Sequence, residues 1–297
     1  MRAARLHELG GVPQVDEVDA PEGPNVVAVS SAALNPVDIS IGSGRFYGGS
    51  PATPYVIGSE AVGTAADGRR VWFRTNAALA EQAAANPDQT FELPDGVDDV
   101  TALACGIAGL TGWLAVSWRA PVTADDTVLV LGASGTVGSA ALQGAKVLGA
   151  RRVIGAARNT DNVPSAADEV VALDGGEGEE LPEATVVVDT LWGAPAERAL
   201  ERAASGVRFV QLGQSAGPEA RIQSGWVRGR MMNVLGLSLF STPADAMANG
   251  YRELCEHVLA GRIELATQTY GLADVAEAWE RQASGSPGKK IVVAVGG

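Results

Sequence analysis

Apolar positions follow two regimes along this chain. Over residues 1 to about 75 they form short runs at 26–30, 56–64 and 70–73, cut by closely spaced breakers such as Pro36, Gly42, Gly44, Pro51, Pro54, Gly58 and Gly63. Short apolar runs bounded by Gly and Pro predict strands and turns. Residues 98–118 change period: Ala102, Leu103, Ile107, Leu110 and Leu114 fall at helical spacings, and Asp98 or Asp99 can cap the helix. Further on, apolar runs at 128–131, 153–157, 169–173, 185–189, 207–212 and 233–240 alternate with helical stretches at 136–148, 195–204 and 244–260. Such alternation predicts a parallel sheet covered on both faces. A last helix at 274–283 and a last strand at 290–295 resemble neither a linker nor another βα unit, and can return to the first domain. Residues 77–86 are Ala-rich and carry no stripe.

The most informative stretch is 127–159. Its order is strand, glycine turn, helix, strand, with Gly132, Gly135 and Gly138 in the turn. This βαβ unit places a diphosphate on a helix N-terminus, where the amides of Ser134, Gly135, Thr136 and Val137 would face it. The G-x-x-G-x-x-G spacing is one residue longer than the strict dinucleotide fingerprint, and the strand-helix-strand context strengthens it. A site for NAD carries an acid at the end of the second strand, to hold the ribose hydroxyls. Here Arg158 and Asn159 stand there and no acid does. A guanidinium suits a 2′-phosphate dianion that a carboxylate would repel, so the residues favour NADP(H). Gly213 and Gln214 follow the C-terminal end of another strand, where ligands of such sheets sit.

Composition narrows the partners. The chain has 297 residues, 46% hydrophobic and 19% charged, enough for a core. Its net charge of −13 disfavours nucleic acid. No apolar run is read as approaching bilayer length, and the first residues carry no secretory pattern, so no membrane partner is expected. Cys105 and Cys255 lie in Ala/Leu-rich contexts and read as buried thiols of a cytoplasmic protein. Two Cys and two His are too few for a structural and a catalytic zinc together.

With these residues in view, the chain resembles the zinc-independent quinone oxidoreductases of the medium-chain dehydrogenase/reductase superfamily. Leu34-Asn-Pro-Val-Asp38 looks like that family's N-P-x-D turn. Gly44-Arg-Phe-Tyr47 followed by Pro54-Tyr-Val-Ile-Gly58-Ser-Glu60-Ala-Val-Gly63 looks like its P-x-x-x-G-x-E-x-x-G segment. Gly109-Leu-Thr-Gly-Trp113 and Gly288-Lys-Lys-Ile-Val292 look like its G-L-T-x-W helix and G-K-x-V terminus.

The resemblance implies an α/β fold: a GroES-like β-rich catalytic domain (1–118 and 268–297) with an inserted Rossmann domain (119–267), a doubly wound parallel sheet, and a cleft between them for nicotinamide and substrate. It implies a homodimer or a tetramer, with the homodimer favoured, joined partly through the edge at 233–240. The positions of zinc ligands in zinc-dependent relatives hold Asn35, Ser59 and Ile107, which implies catalysis without metal. Asn35, Tyr47 and Ser59 are then the candidates to stabilise charge on the substrate's carbonyl oxygen, with Tyr47 or solvent as proton donor. Thr111 would contact the nicotinamide carboxamide, and Leu239, Phe240 and Ser241 would cover the ring. The implied activity is NADPH-dependent reduction of a conjugated carbonyl (quinone, enone or enoyl group). A zinc-free ketone or imine reductase, and a non-catalytic cofactor-binding sensor or structural protein, are the alternatives. Two segments, 63–70 and 158–168, are short for the family.

Overall fold

A computed structural model describes residues 1–173, 180–285 and 288–296. The chain divides into two compact units, Met1–Ile107 with Ala266–Gly297, and Ala108–Leu265. The second unit starts at Ala108 and not after residue 118, because the helix Leu110–Leu114 packs on the helix Thr136–Val147. Gly112 makes that approach possible: a Cβ there would lie 2.3 Å from the Val137 carbonyl oxygen.

The first unit is built on mixed β structure. A small sheet orders Gln14–Glu17, Arg2–Leu6 and Tyr55–Val56. The larger sheet runs Thr267–Gly271, Lys290–Ala294, Val26–Leu34, Glu60–Ala65, Arg70–Arg74, Thr90–Glu92, and Gln82–Ala84 also pairs with Val26–Leu34. Val26–Leu34 is its spine, antiparallel to both Lys290–Ala294 and Glu60–Ala65. Leu34 stands opposite Ile291, Ala33 opposite Glu60, and Glu60 opposite Arg74. That register sets Asn35, Glu60 and Lys290 side by side at one end of three strands. The apolar face buries Leu34, Ile57, Phe73, Leu79, Trp279, Ile291 and Val293. Each such side chain contributes about 1.5–3 kcal/mol on leaving water, so the C-terminal strand is held by its core contacts as well as by its ladder.

The second unit carries a six-stranded sheet in the order Glu169–Ala172, Arg152–Ala157, Thr127–Leu131, Val186–Asp189, Arg208–Gln211, Asn233–Gly236, every pair parallel. The order reverses at Thr127–Leu131, the doubly wound arrangement whose ligand crevice opens at the carboxyl ends of the strands where the order turns back. The strands read as continuous Val/Leu/Ile runs because both faces are covered.

One stretch differs from its sequence reading. Asp99–Arg119 is long and apolar enough to cross a membrane by length and composition. Its most apolar window is 72% buried in the protein, the mark of a core helix. Small residues interrupt its large side chains, which hid the run's length in the sequence.

At the opposite edge of the parallel sheet, Asp126 ties three strand starts together. Its Oδ1 accepts from Arg208 Nη2 at 2.5 Å and from Thr185 Oγ1 at 2.8 Å, and its Oδ2 accepts from the Thr123 amide at 2.8 Å. Burial alone would raise this carboxyl, but the bonds from Arg208, Thr123 and Thr185 outweigh it and hold the pKa at about 2. A carboxyl depressed on folding stabilises the fold above its unfolded value, and that contribution is lost as pH falls through the folded one. Asp126→Asn is therefore expected to lower the thermal midpoint by several degrees at pH 6. The difference from the parent protein should shrink between about pH 4 and pH 2, as followed by circular dichroism.

Candidate functional site

The first unit concentrates buried charge where its strands converge. Glu60 is 0% exposed and Lys290 2%. Lys290 Nζ donates to Glu60 Oε1 at 2.6 Å and to Asn35 Oδ1. Asn35 Nδ2 donates to Glu60 Oε1 at 3.0 Å, while Glu60 Oε2 accepts from Trp72 Nε1 at 2.8 Å and from the Ile107 amide at 2.7 Å. The Ile107 amide reaches the carboxylate because the helical stretch breaks at Gly106 (φ −60, ψ −140). A Cβ on Gly106 would fall 2.1 Å from Glu60 Oε2. A buried carboxylate needs this density of donors, and a buried ammonium needs its acceptors, for the pair to be tolerated in a poorly solvating interior.

Beside this pair lies a second carboxyl with different partners. Asn35 ends the spine strand in extended conformation, and Pro36 opens the short helix Pro36–Gly42. The Asn35 amide donates to Asp38 Oδ2 at 2.7 Å, so the backbone of Asn35 is fixed by Asp38 and its side chain is left for Glu60 and Lys290. Ser59 Oγ donates to Asp38 Oδ1 at 2.5 Å. Burial pushes the Asp38 carboxyl up and the nearby charge of Glu60 adds to this; the bonds from Ser59 and Asn35 and the charge of Lys290 oppose it, leaving about 6. Tyr55 presents a buried hydroxyl with no hydrogen-bond partner among the described residues. Its own pKa is raised, by burial and then by the charge of Asp38.

Of the catalytic candidates, Asn35 and Ser59 thus belong to one buried cluster. Tyr47 does not join it: its side chain is 82% exposed and leans on Phe46, ring centroids 4.5 Å apart. Sequence reading passed over Asp38, Glu60 and Lys290 as chemistry, although all three lie inside the quoted motifs. Lys289, beside Lys290 in the last of those motifs, is exposed.

In the second unit the glycine loop joins the central strand to the helix Thr136–Val147. Gly132 takes φ +84, a conformation L side chains rarely adopt, and a Cβ on Gly138 would sit 2.2 Å from the Gly132 carbonyl oxygen. Helix and strand therefore meet at a distance that only this pair of glycines allows. The first helical amides, from Thr136 and Val137, have no partner within the helix and face outward with Ser134 and Gly135, which are partly exposed. Unpartnered amides at a helix N-terminus favour an anion such as a diphosphate. Thr111 precedes Gly112, whose close approach to Val137 carries it to the same helix end.

The neighbouring strand ends complete the rim. A Cβ on Gly132 would meet Thr190 Oγ1 at 2.2 Å, and one on Gly213 would meet the Thr190 carbonyl oxygen at 2.7 Å. Thr190, absent from the sequence candidates, thus stands between the loops of Gly132 and Gly213. Gln214 follows Gly213 on that rim. Arg158 and Asn159 leave the strand Arg152–Ala157 exposed. Asn159 Oδ1 accepts from the Asp161 amide at 3.2 Å, opening a short turn at Thr160–Asn162. The Arg158 guanidinium has no ion pair or hydrogen bond among the described residues. Leu239 is buried, and Phe240 and Ser241 are exposed on the loop past the edge strand Asn233–Gly236.

The residues do not fit a zinc site of the kind zinc-dependent relatives use. Asn35, Ser59 and the Ile107 amide are wired to carboxylates. No group of three or more His, Cys, Asp or Glu that could hold a metal ion occurs among the described residues.

Comparison with known proteins gives a consistent assignment. A family model described as zinc-binding dehydrogenase matches residues 148–293. The chain is 28% identical to human quinone oxidoreductase, over 99% of this chain and 98% of that protein. It is 30% identical, again over 99% of its own length, to part of a phenolphthiocerol/phthiocerol polyketide synthase of Mycobacterium tuberculosis, of which it spans 14%. Among solved structures, the quinone oxidoreductase from Thermus thermophilus, described together with its complex with NADPH, superposes with a TM-score of 0.85 at 25% identity, covering 99% of this chain and 100% of that one. The sheet orders, the glycine loop and these similarities agree, and the chain is similar along its length to quinone oxidoreductases and over residues 148–293 to zinc-binding dehydrogenases.

Proposed function

We propose that this chain is an NADPH-dependent oxidoreductase that reduces a conjugated carbonyl (a quinone, an enone or an enoyl group) by hydride transfer without a metal. The observation that carries the proposal is Arg158, exposed and unpaired among the described residues at the end of the strand next to the diphosphate cradle. A lone guanidinium there matches the 2′-phosphate that separates NADPH from NADH. The complex with NADPH named for the Thermus thermophilus relative supports the same cofactor.

The cofactor supplies the hydride; the protein orients it and receives the charge that develops on the substrate. In the second unit, the amides of Ser134, Thr136 and Val137 would hold the diphosphate, with Gly135 giving its backbone room, its own amide being bonded to the Gly132 carbonyl oxygen at 3.1 Å. Arg158 and Asn159 would hold the ribose phosphate, and Thr111, Gly213, Gln214, Leu239, Phe240 and Ser241 the nicotinamide end. In the first unit, Asn35 and Ser59 are the polar groups offered to a carbonyl oxygen, and Tyr47 is placed at the surface as a contact for the substrate. Lys290 and Glu60 fix the Asn35 amide: its Oδ1 faces the ammonium and one Nδ2 hydrogen faces the carboxylate, so the second hydrogen points in one set direction. Fixed donors of this kind stabilise an oxyanion without reorganising during the reaction.

The polyketide synthase similarity spans this whole chain, which favours an enoyl group as one substrate to be tested beside quinones. The proposal extends to a cytoplasmic homodimer. Asn233–Gly236 ends the parallel sheet with Val234 exposed, an edge fit for pairing with a second copy.

Two outcomes are expected. Arg158→Ala should raise the KM for NADPH by about 10- to 100-fold, the loss of charge-assisted bonds to a phosphate, and leave the KM for NADH nearly unchanged. Equal changes with both nucleotides would refute the 2′-phosphate assignment. Lys290→Met should leave Glu60 buried without its cation and cost about 3–5 kcal/mol in urea denaturation. At a temperature where the variant remains folded, kcat should fall while the Kd for NADPH holds.

A further inference from the structure

We propose that Asp38 supplies the proton for carbonyl reduction and passes it through Ser59, so that the Asp38–Ser59 pair, rather than Tyr47, is the acid of the site; this rests on the reductase reading above. Ser59 would touch the substrate. Asp38 acts through it, as a positioning and proton-supplying residue.

The geometry turns on a single hydrogen. Ser59 has one hydroxyl hydrogen, and it points at Asp38 Oδ1 across 2.5 Å. While Asp38 is ionised, Ser59 therefore offers only lone pairs to anything else. A proton on Asp38 Oδ1 reverses the bond: Asp38 donates, Ser59 accepts, and the hydroxyl hydrogen of Ser59 is released for another acceptor. The other carboxyl oxygen stays bonded to the Asn35 amide at 2.7 Å in either state, so the side chain need not move. Ser59 is 9% exposed, against 4% for Asp38, 2% for Asn35 and Lys290 and 0% for Glu60. It is the outlet of the cluster. Tyr47, at 82% exposure, stands outside the cluster.

The surroundings decide which of the two carboxylates can do this. Glu60 has Lys290 in direct contact and is committed as well to Asn35, Trp72 and the Ile107 amide. Asp38 has no cation in contact among the described residues. Around it stand Lys290 and Glu60 from the flanking strands, whose charges oppose one another, Arg74 beyond Glu60, and the neutral Tyr55 hydroxyl. Burial then dominates, and the carboxyl titrates at about 6, within reach of a proton donor working near neutral pH.

The step balances. Hydride arriving at the substrate forms a C–H bond and leaves an electron pair on the carbonyl oxygen. That oxygen takes the Ser59 hydrogen, Ser59 takes the proton from Asp38, and the Asp38 carboxylate recovers a proton from water.

The test uses the full chain and two readouts. Infrared spectroscopy of the protein without cofactor should show a carboxyl band titrating near the value above, absent from Asp38→Asn and moved upward in Ser59→Ala. With NADPH and the best substrate of a quinone and enone panel, kcat of the parent protein should fall above that pH by about tenfold per unit. Asp38→Asn should lose this limb and about 10- to 100-fold of kcat, since its amide can donate a hydrogen bond to Ser59 at every pH but has no proton to pass on. Ser59→Ala should lose the limb and about 10- to 100-fold of kcat, and Ser59→Thr should restore both. Thermal midpoints and NADPH affinity show that each variant is folded. A band in the ordinary carboxylate range, or an unchanged pH limb in both Asp38→Asn and Ser59→Ala, overturns the relay while the reductase reading stands. A parent protein that binds NADPH and turns over nothing on the panel overturns the reductase reading, and the relay with it.

Discussion

The first unit depends on one buried ion pair. Lys290 and Glu60 are nearly inaccessible, and each would cost several kcal/mol to bury alone. They are tolerated because Glu60 gathers Asn35, Trp72 and the Ile107 amide besides the ammonium, and because Lys290 also reaches Asn35. The pair joins residues 60 and 290, from the two segments that together make this unit. A hydrophobic pair could fill the same volume at comparable stability. It could not hold the Asn35 amide in one orientation, and the proposed role of Asn35 depends on that orientation.

The second unit solves a different problem with backbone alone. Its sheet is parallel throughout, so every strand delivers its carboxyl end to the same edge. There the side chains that matter are the missing ones. Gly132, Gly138 and Gly112 let a strand, the helix Thr136–Val147 and a neighbouring helix approach to distances that a Cβ would forbid, and they leave amides as the exposed surface. In a chain of net charge −13, attraction for a polyphosphate has to be local. In the proposed site, amide dipoles at a helix end and the guanidinium of Arg158 meet that need without altering the overall balance.

How much of this was legible in the sequence follows from the range of the forces involved. The βαβ unit was readable because a strand, a glycine turn and a helix are local, and the parallel strands were readable because burial on both faces leaves continuous apolar runs. The strands Arg2–Leu6 and Gln14–Glu17 left no such signal. Their residues alternate with charges and small side chains, and pairing across the small sheet defines them. The spine strand runs to Leu34, past the expected residue 30, since Ser31, Ala32 and Ala33 have weak propensity and are held by partners on both sides. The same holds for the site. Asn35 and Ser59 were named through resemblance to a family, but their connection to Asp38, Glu60 and Lys290 spans up to 255 positions and is fixed by strand register. No spacing rule reaches that far.

That register also explains why two carboxylates so close together behave differently. The positions that resemblance aligns with zinc ligands, Asn35, Ser59 and Ile107, are each bonded here to an acid: Asn35 and Ile107 to Glu60, Ser59 to Asp38. Glu60 meets an ammonium that reaches it from the strand on the far side of the spine, so its charge is compensated where it stands. Asp38 sits on the helix that follows the spine strand, one step outside the ladder, and meets only a hydroxyl and an amide. Burial acts on both, but among the described residues Asp38 has no counterion in contact, and its carboxyl rises to about 6. Pairs of acids whose surroundings pull their proton affinities apart divide the labour of a site, one holding geometry as a fixed charge and the other exchanging a proton. In this chain that division is set by which residue falls on the strand and which falls just beyond it.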